Sequence, residues 1–516
     1  MTTSTPTLGD RRVPEVSRSA DHDWRRRVAL GVLAAAGLGL VTGWWTPRGP
    51  ISTIEALAAI ALSLAVGAFA GAVMRTRWAM LAAPATFAVA FELTRVRTAG
   101  PIVDGIHLSS ELTIAAFILG RGVHGLLTLL PMLLGAVLGA AAARRRNDVP
   151  GSQSRTTVGQ WLRRGVTATV TLGVLALTLA VARPASTDPI TGPEGTPLPD
   201  SVAELIRVPV GGHDLSMMIR GSSVDNPVLL FLAGGPGGSE LGAMRRHGKA
   251  LERDFVVATF DQRGTGKSYD ELEPTSTMTL AAAVTDAVEV TNYLRQRFHR
   301  NKIYLVGQSW GTVLGVLAVQ QHPELYAAYI GTGQMVDITE TDRITYADTL
   351  AWARRTNNDT LARTLSKAGP PPYTNMIDYA PALANETQVY PYDHTQNAEG
   401  AGGFSTNIFV KEYSLMEQLH TIPAFLDVAT LMYPQLKDID LRTQATRLKV
   451  PVYLVQGRHE APGRARPAEQ WFRLLAAPSK HLTVLDTSGH RAMFEQPAQF
   501  DRVMTQLVLP QTQPGR

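Results

Sequence analysis

Hydrophobic positions along this chain follow two regimes, and the change comes near residue 183. Before it, five long apolar runs occur, at about 28–45, 51–74, 78–94, 125–142 and 165–182. Each has roughly the length a helix needs to cross about 30 Å of hydrocarbon. Arginines and tryptophans flank them, which predicts transmembrane helices rather than buried helices of a large soluble core. The third run is the shortest and carries Glu92 near one end. No small-residue cleavage site follows "GWWTPRGP", so the first run reads as a retained anchor and not a signal peptide. Segment 95–124 reads as a loop or interfacial helix; Arg121 and His124 are candidates for functional intramembrane groups, with snorkelling at the membrane surface the preferred reading.

The Pro/Gly-rich stretch "RPASTDPITGPEGTPLPD", 183–200, has linker composition. After it the pattern changes to short β-branched runs alternating with helical ones. "NPVLLFL" (226–232), "DFVVATF" (254–260), "KIYLVG" (302–307), "VPVYLVQ" (450–456) and "KHLTVLD" (480–486) are nearly continuous apolar runs. Such runs suit strands buried on both faces of a parallel sheet. Leu280, Val284, Ala287, Val288, Leu294 and Phe298 recur at helical spacing and predict a crossover helix. "LIRVPVGGHDLSMMIRG" predicts an antiparallel hairpin ahead of the sheet. Together these elements predict an α/β fold preceded by an all-α transmembrane domain.

Charge divides at the same boundary. Positions 1–186 hold 19 Arg, no Lys and 9 acidic residues, a net of +10, while the whole 516-residue chain carries +5. The remainder is therefore acidic, and the basic excess argues nothing about nucleic acid. With the N-terminus inside, fourteen arginines fall on cytoplasmic segments and five on the opposite side. Positive charge is retained inside. The expected topology is a multi-pass protein of the plasma membrane with a cytoplasmic N-terminus and everything after Ala182 outside the cytoplasm. Cysteine is absent, so disulfides and thiolate metal sites are excluded.

"YLVGQSWGTVLG" carries the chemistry. Gly307-Gln308-Ser309-Trp310-Gly311 follows a predicted strand and opens a helix, the setting a G-x-S-x-G nucleophile elbow requires. The turn forces the serine into a strained conformation, exposes its Oγ and aims the Trp310 N–H at a developing oxyanion. A nucleophilic serine needs a base, and the base needs an orienting carboxylate. In this fold the order is serine, acid, histidine at successive strand ends. Glu460 follows the penultimate strand and His490 the last one; His459 is a rival base that comes too early in that order. "DQRGTGKS", 261–268, ends like a nucleotide-binding P-loop. That motif requires a glycine where Asp261 stands, and a carboxylate there would repel phosphates, so no nucleotide is expected.

With these motifs in hand, residues 205–510 resemble an α/β-hydrolase of the proline iminopeptidase (prolyl aminopeptidase) family. "LAGGPGGSE" at 232–240 is similar to the family's His-Gly-Gly-Pro-Gly loop, which implies Gly234 and Gly235 as oxyanion-hole donors beside Trp310. "DQRGTGKS" resembles its Asp-Gln-Arg-Gly-x-Gly-x-Ser segment, which implies a bracing turn with Asp261 and Arg263. The implied organisation is a cytoplasmic tail (1–27), a membrane domain (28–182), a linker (183–200), a core in two parts (201–334 and 446–510) and a cap (335–445). Ala233 stands where the family has His, and Glu460 where it has Asp. The family's cap carboxylates hold the substrate amine; here Glu340, Glu386, Glu399, Glu412 and Glu417 are available, without a matching motif. The resemblance implies a serine hydrolase with triad Ser309, Glu460 and His490, acting without cofactor or metal on small peptides. An esterase or lipase with the same triad is the alternative, and a non-enzymatic binding module a third reading.

Overall fold

The computed structural model describes residues 16–513 except 77, 99, 101, 104, 106–110, 147–156, 374–375 and 394–406. The chain forms two compact units, one from 1–50, 54–98 and 123–182, the other from 51–53, 99–122 and 183–516.

Among the described residues four helices are long and apolar enough to cross a membrane: Asp23–Trp45, Thr53–Met74, Thr113–Arg145 and Val158–Ala182. A fifth apolar helix, Ala79–Thr94, has 16 residues, a rise of about 24 Å. The run expected at 125–142 begins earlier, because Glu111–Phe117 is helical and joins Val123–Arg145 through a π-helical turn at Ile118–Gly122. A reading that stops at polar residues ends the helix too soon here. Arg121 donates to the Val103 carbonyl at 2.8 Å, and His124 is buried edge-on against Phe91, 4.4 Å between ring centres.

Helices Thr53–Met74 and Val123–Arg145 meet through glycines. A Cβ on Gly67 would lie 2.0 Å from the Met132 carbonyl oxygen, and one on Gly71 2.1 Å from that of Ala136. Reciprocally, Cβ atoms on Gly135 and Gly139 would lie 2.1 and 2.0 Å from the oxygens of Leu64 and Ala68. Small residues four apart on both helices let the backbones approach, which is the main source of helix pairing where no water drives it.

The second unit is built on an eight-stranded sheet in the order β1-β2-β4-β3-β5-β6-β7-β8. Its strands are β1 (Val202–Val210), β2 (His213–Gly221), β3 (Val228–Leu232), β4 (Val256–Phe260), β5 (Ile303–Gln308), β6 (Tyr326–Thr332), β7 (Val452–Gly457) and β8 (Lys480–Leu485). β1, β2 and β4 pair antiparallel; the remaining neighbours are parallel. This is the α/β-hydrolase fold. β3, β4, β5 and β7 are buried along their whole length, as their continuous apolar runs predict. β6, "YAAYIGT", was not among the predicted strands: its alanines and glycine give a weak strand signal, and burial between β5 and β7 decides its state. The crossover helix forms at Leu280–Arg297, with the Thr279 hydroxyl accepting from the Ala282 N–H at its start.

Between β6 and β7 the chain leaves the sheet for a helical insertion. Its main helices are Ile338–Arg355 and Leu415–Met432, the first capped by Asp337 and the second by a Ser414/Glu417 capping box. The stretch 183–200, expected as a linker by composition, is tied down in part. The Ser186 N–H donates to the Lys411 carbonyl at 3.0 Å, and buried Arg220 donates to Thr187 Oγ1 and the Asp188 carbonyl, both at 2.6 Å.

Candidate active site

β5 ends at Gln308, and the helix Trp310–Gln321 begins one residue later. Ser309 between them has φ +53° and ψ −120°, a left-handed conformation that a non-glycine residue holds only where its surroundings impose it. The surroundings are tight: a Cβ on Gly311 would lie 2.1 Å from the Leu232 carbonyl oxygen, and one on Gly307 2.6 Å from that of Gly311. Glycine at both places lets the new helix fold back against β3 and β5.

Glu460 follows β7 and His490 follows β8. His490 Nε2 is 2.8 Å from Ser309 Oγ, and its Nδ1 is 2.7 Å from Glu460 Oε2. The second Glu460 oxygen accepts from the Ala461 N–H at 2.9 Å and from Arg464 Nε at 2.7 Å. Burial pushes the Glu460 carboxyl up, but Arg464 and His490 more than offset this and hold its pKa at about 2. Glu495 holds the histidine turn by accepting from the N–H groups of Gly489 (2.8 Å) and Arg491 (3.2 Å). The rival, His459, stacks flat on Tyr392 at 4.8 Å between ring centres, and its backbone N–H donates to Ser488.

The glycine loop after β3 lies over the serine. The Gly234 N–H is taken: it donates to the buried Glu240 carboxylate at 2.8 Å. Gly234 is needed for closeness instead, since a Cβ there would meet Gln308 Oε1 at 2.2 Å and Ser309 Cβ at 3.2 Å. Of the two glycines only Gly235 keeps its place as a candidate donor beside Trp310. Gln262 ties this loop to the helix after Ser309. Its amide donates to the Ala233 carbonyl at 3.1 Å and accepts from the Trp310 indole at 3.0 Å. The rest of "DQRGTGKS" braces the turn. Asp261 accepts from the Lys267 N–H (2.8 Å) and the Tyr413 hydroxyl (2.9 Å), Lys267 Nζ pairs with Glu417 at 2.8 Å, and Arg263 pairs with Asp286 at 2.7 Å. Desolvation raises the Asp261 pKa to about 7 against those hydrogen bonds.

A cavity of about 560 Å³ adjoins the serine. Gly235, Ser309 and His490 line it from the core, and Asp342, Glu386 and Tyr433 from the insertion. Asp342 is 2% exposed and accepts from the Tyr433 hydroxyl. Burial outweighs the hydrogen bonds from Tyr433 and Tyr379 and the field of Arg464, and raises its pKa to about 7. Of the carboxylates named from the sequence, only Glu386 lines the cavity among the described residues. Glu340 pairs with Arg442, Glu412 with Arg245 and Glu417 with Lys267, while Glu399 lies outside the described residues.

The family profile described as "Serine aminopeptidase, S33" matches residues 237–497, half of the chain. The chain belongs to this family. It is 27% identical over 308 residues to "Probable aminopeptidase YbaC" of Bacillus subtilis (strain 168), covering 59% of this chain and 96% of that protein. It is 32% identical over 112 residues to "Probable proline iminopeptidase" of Leptolyngbya boryana, covering 22% of this chain and 32% of that one. Among solved structures it is similar to the proline iminopeptidase-related protein TTHA1809 from Thermus thermophilus. The identity there is 21% and the TM-score 0.42, over 61% of this chain and 99% of that one. The family profile begins at residue 237, well past the apolar helices.

Sequence reading within this family missed Arg464 and Asp342. Arg464 had a signal, being four residues beyond Glu460 on a helix that opens at Pro462. Asp342 had none: it is one of several acids on Ile338–Arg355, and only the packing of that helix buries it beside the cavity.

Proposed function

We propose that this S33-family chain is a membrane-anchored serine aminopeptidase that removes N-terminal residues from small peptides. Ser309 Oγ attacks the scissile carbonyl while its proton passes to His490 Nε2, and Glu460 holds the imidazole by accepting from Nδ1–H. The tetrahedral oxyanion takes hydrogen bonds from the Gly235 and Trp310 N–H groups, each worth about 10²–10³ in rate. The proton then moves from His490 to the leaving nitrogen, the C–N bond breaks, and water hydrolyses the acyl-enzyme by the same path.

The observation that carries the peptidase reading over the esterase one is the charge of the cavity. Glu240, Asp342, Glu386 and Glu495 line it; Arg464 pairs with Glu386 and Arg491 with Glu240, which leaves Asp342 and Glu495 as the acidic excess. Asp342 accepts hydrogen bonds from the Tyr433 and Tyr379 hydroxyls and feels Arg464 only through its field, so a substrate ammonium would be its direct charged partner and would draw the carboxyl into its ionised form. An acidic wall suits a free α-amine and disfavours a neutral ester. Hydrolysis of proline-β-naphthylamide is compared with that of its N-acylated form, and the free amine should be cleaved at least 100-fold faster, about 2.7 kcal/mol of discrimination. Equal rates, or faster cleavage of short acyl esters, would make the esterase reading the right one.

The orientation proposed from the arginine bias puts this site outside the cytoplasm. Arg144, Arg145, Arg146, Arg163 and Arg164 lie between the last two long helices or at their facing ends. They should stay inside whether or not the 16-residue helix Ala79–Thr94 crosses. Protease added to intact cells should degrade the hydrolase unit, and a reporter after Arg516 active only in the cytoplasm would refute the orientation.

A further inference from the structure

Arg464 lies beside the cavity between two carboxylates. Its side chain is 5% exposed. Nε donates to Glu460 Oε1 at 2.7 Å, and the far side of the guanidinium grips both carboxylate oxygens of Glu386, Nη1 at 2.9 Å from Oε2 and Nη2 on Oε1. Glu460 belongs to the core, at the end of β7, whereas Glu386 opens a short helix of the insertion, Glu386–Val389. The insertion touches the same turn a second time, where the Thr341 hydroxyl donates to the Gly463 carbonyl at 2.8 Å. A Cβ on Gly463 would lie 2.9 Å from the Thr341 carbonyl oxygen, so the two backbones are close there.

We propose that Arg464 is a positioning residue that locks Glu460 to the cap through Glu386, so that the triad is correctly oriented only when this part of the cap is seated. The proposal rests on the reading of Ser309, His490 and Glu460 as a triad. Glu460 divides its oxygens, Oε2 toward His490 and Oε1 toward Arg464 and the Ala461 N–H. Arg464 thereby fixes the angle from which the carboxylate meets the imidazole. The planar fork is what allows one side chain to serve both carboxylates, a geometry that lysine cannot reproduce. If Glu386 lets go, the guanidinium keeps only its Nε contact and can swing, and Glu460 Oε1 is then held in place by the Ala461 N–H alone. A shift of about 1 Å at a catalytic group costs up to about 10²-fold in rate. The cap therefore acts on chemistry as well as on substrate binding, and peptide binding that seats the cap would also complete the triad.

The test separates triad orientation from amine recognition by using a probe without an amine. Full-length protein in detergent is treated with a short-chain alkyl fluorophosphonate, and the second-order rate of Ser309 labelling is measured. Wild type, Glu386→Gln and Arg464→Lys are compared, with Ser309→Ala as the blank. Glu386→Gln and Arg464→Lys are expected to label about 10- to 100-fold more slowly. On proline-β-naphthylamide both should lose the same factor in kcat; Arg464→Lys should change KM less than about 3-fold, whereas Glu386→Gln also removes a charge from the cavity wall and should raise KM. Glu386 is partly exposed, so Glu386→Gln keeps the test valid if Arg464→Lys, inside the core, lowers the unfolding temperature. Labelling of Glu386→Gln at the wild-type rate overturns the lock, whatever happens to peptide turnover. Absence of labelling in wild type overturns the triad reading itself, and the lock with it.

Discussion

Replacing Asp342 with asparagine should stabilise the protein at neutral pH, by an amount that depends on pH. Asp342 is 2% exposed, and burial raises its pKa from 3.8 to about 7. Between those two values the folded chain holds a proton that the unfolded chain has lost. Stability therefore falls as pH rises through that window. A displacement of about three pKa units at about 1.4 kcal/mol each gives up to about 4 kcal/mol lost by pH 8. Asparagine does not titrate and so removes this loss, at the cost of a constant offset from its amide. Asp261, whose pKa is also raised to about 7, acts with the same sign but is present in both proteins and cancels. The assay is thermal unfolding of wild type and Asp342→Asn in detergent from pH 4.5 to 8.5, followed by tryptophan fluorescence. The difference in unfolding temperature should move in favour of the variant by several degrees as pH rises, at about 2–4 °C per kcal/mol for domains of 150–250 residues. The same variant should raise KM for a free-amine substrate and leave fluorophosphonate labelling unchanged. Parallel unfolding curves would refute the raised pKa of Asp342.

Glu460→Gln should lower kcat by about 10³–10⁴ with KM little changed, because a neutral amide no longer fixes the imidazole tautomer; retention of more than a tenth of wild-type kcat would remove Glu460 from the triad. Glu460 has a folded pKa of about 2 against an ordinary 4.5, so its stabilising contribution is complete above pH 4.5 and is lost as pH falls toward 2. Any acid limb of kcat/KM above pH 5 should accordingly persist in Glu460→Asp; its disappearance there would contradict the assignment. Gly67→Val places a side chain where Met132 O leaves 2.0 Å, and should destabilise the helix pair by about 1–3 kcal/mol, read as a lower unfolding temperature of the membrane helices by circular dichroism. An unchanged transition would mean that the two helices do not pack through these glycines.

The nucleophile elbow was legible in the sequence because its constraint is local. A strand, a left-handed serine and a helix within five residues leave only glycine at 307 and 311. The apolar runs, the buried strands and the crossover helix were legible for a similar reason, since burial writes itself into composition and period over about 5–20 neighbours. His490 and Glu460 could be selected because the fold orders them after the last two strands, although their approach to within 2.8 and 2.7 Å is a product of the sheet. What the tertiary structure alone decided concerns partners far apart in the chain. Gly234 looked like a donor until the fold brought Glu240 to its N–H. Glu417 was one of five available cap carboxylates, and only the fold pairs it with Lys267, 150 residues earlier. Asp342 and the Arg464–Glu386 fork acquired their places beside the cavity only when the insertion between β6 and β7 folded onto the strand ends. A carboxylate's role depends on which charges and how much water surround it, and a one-dimensional pattern carries neither.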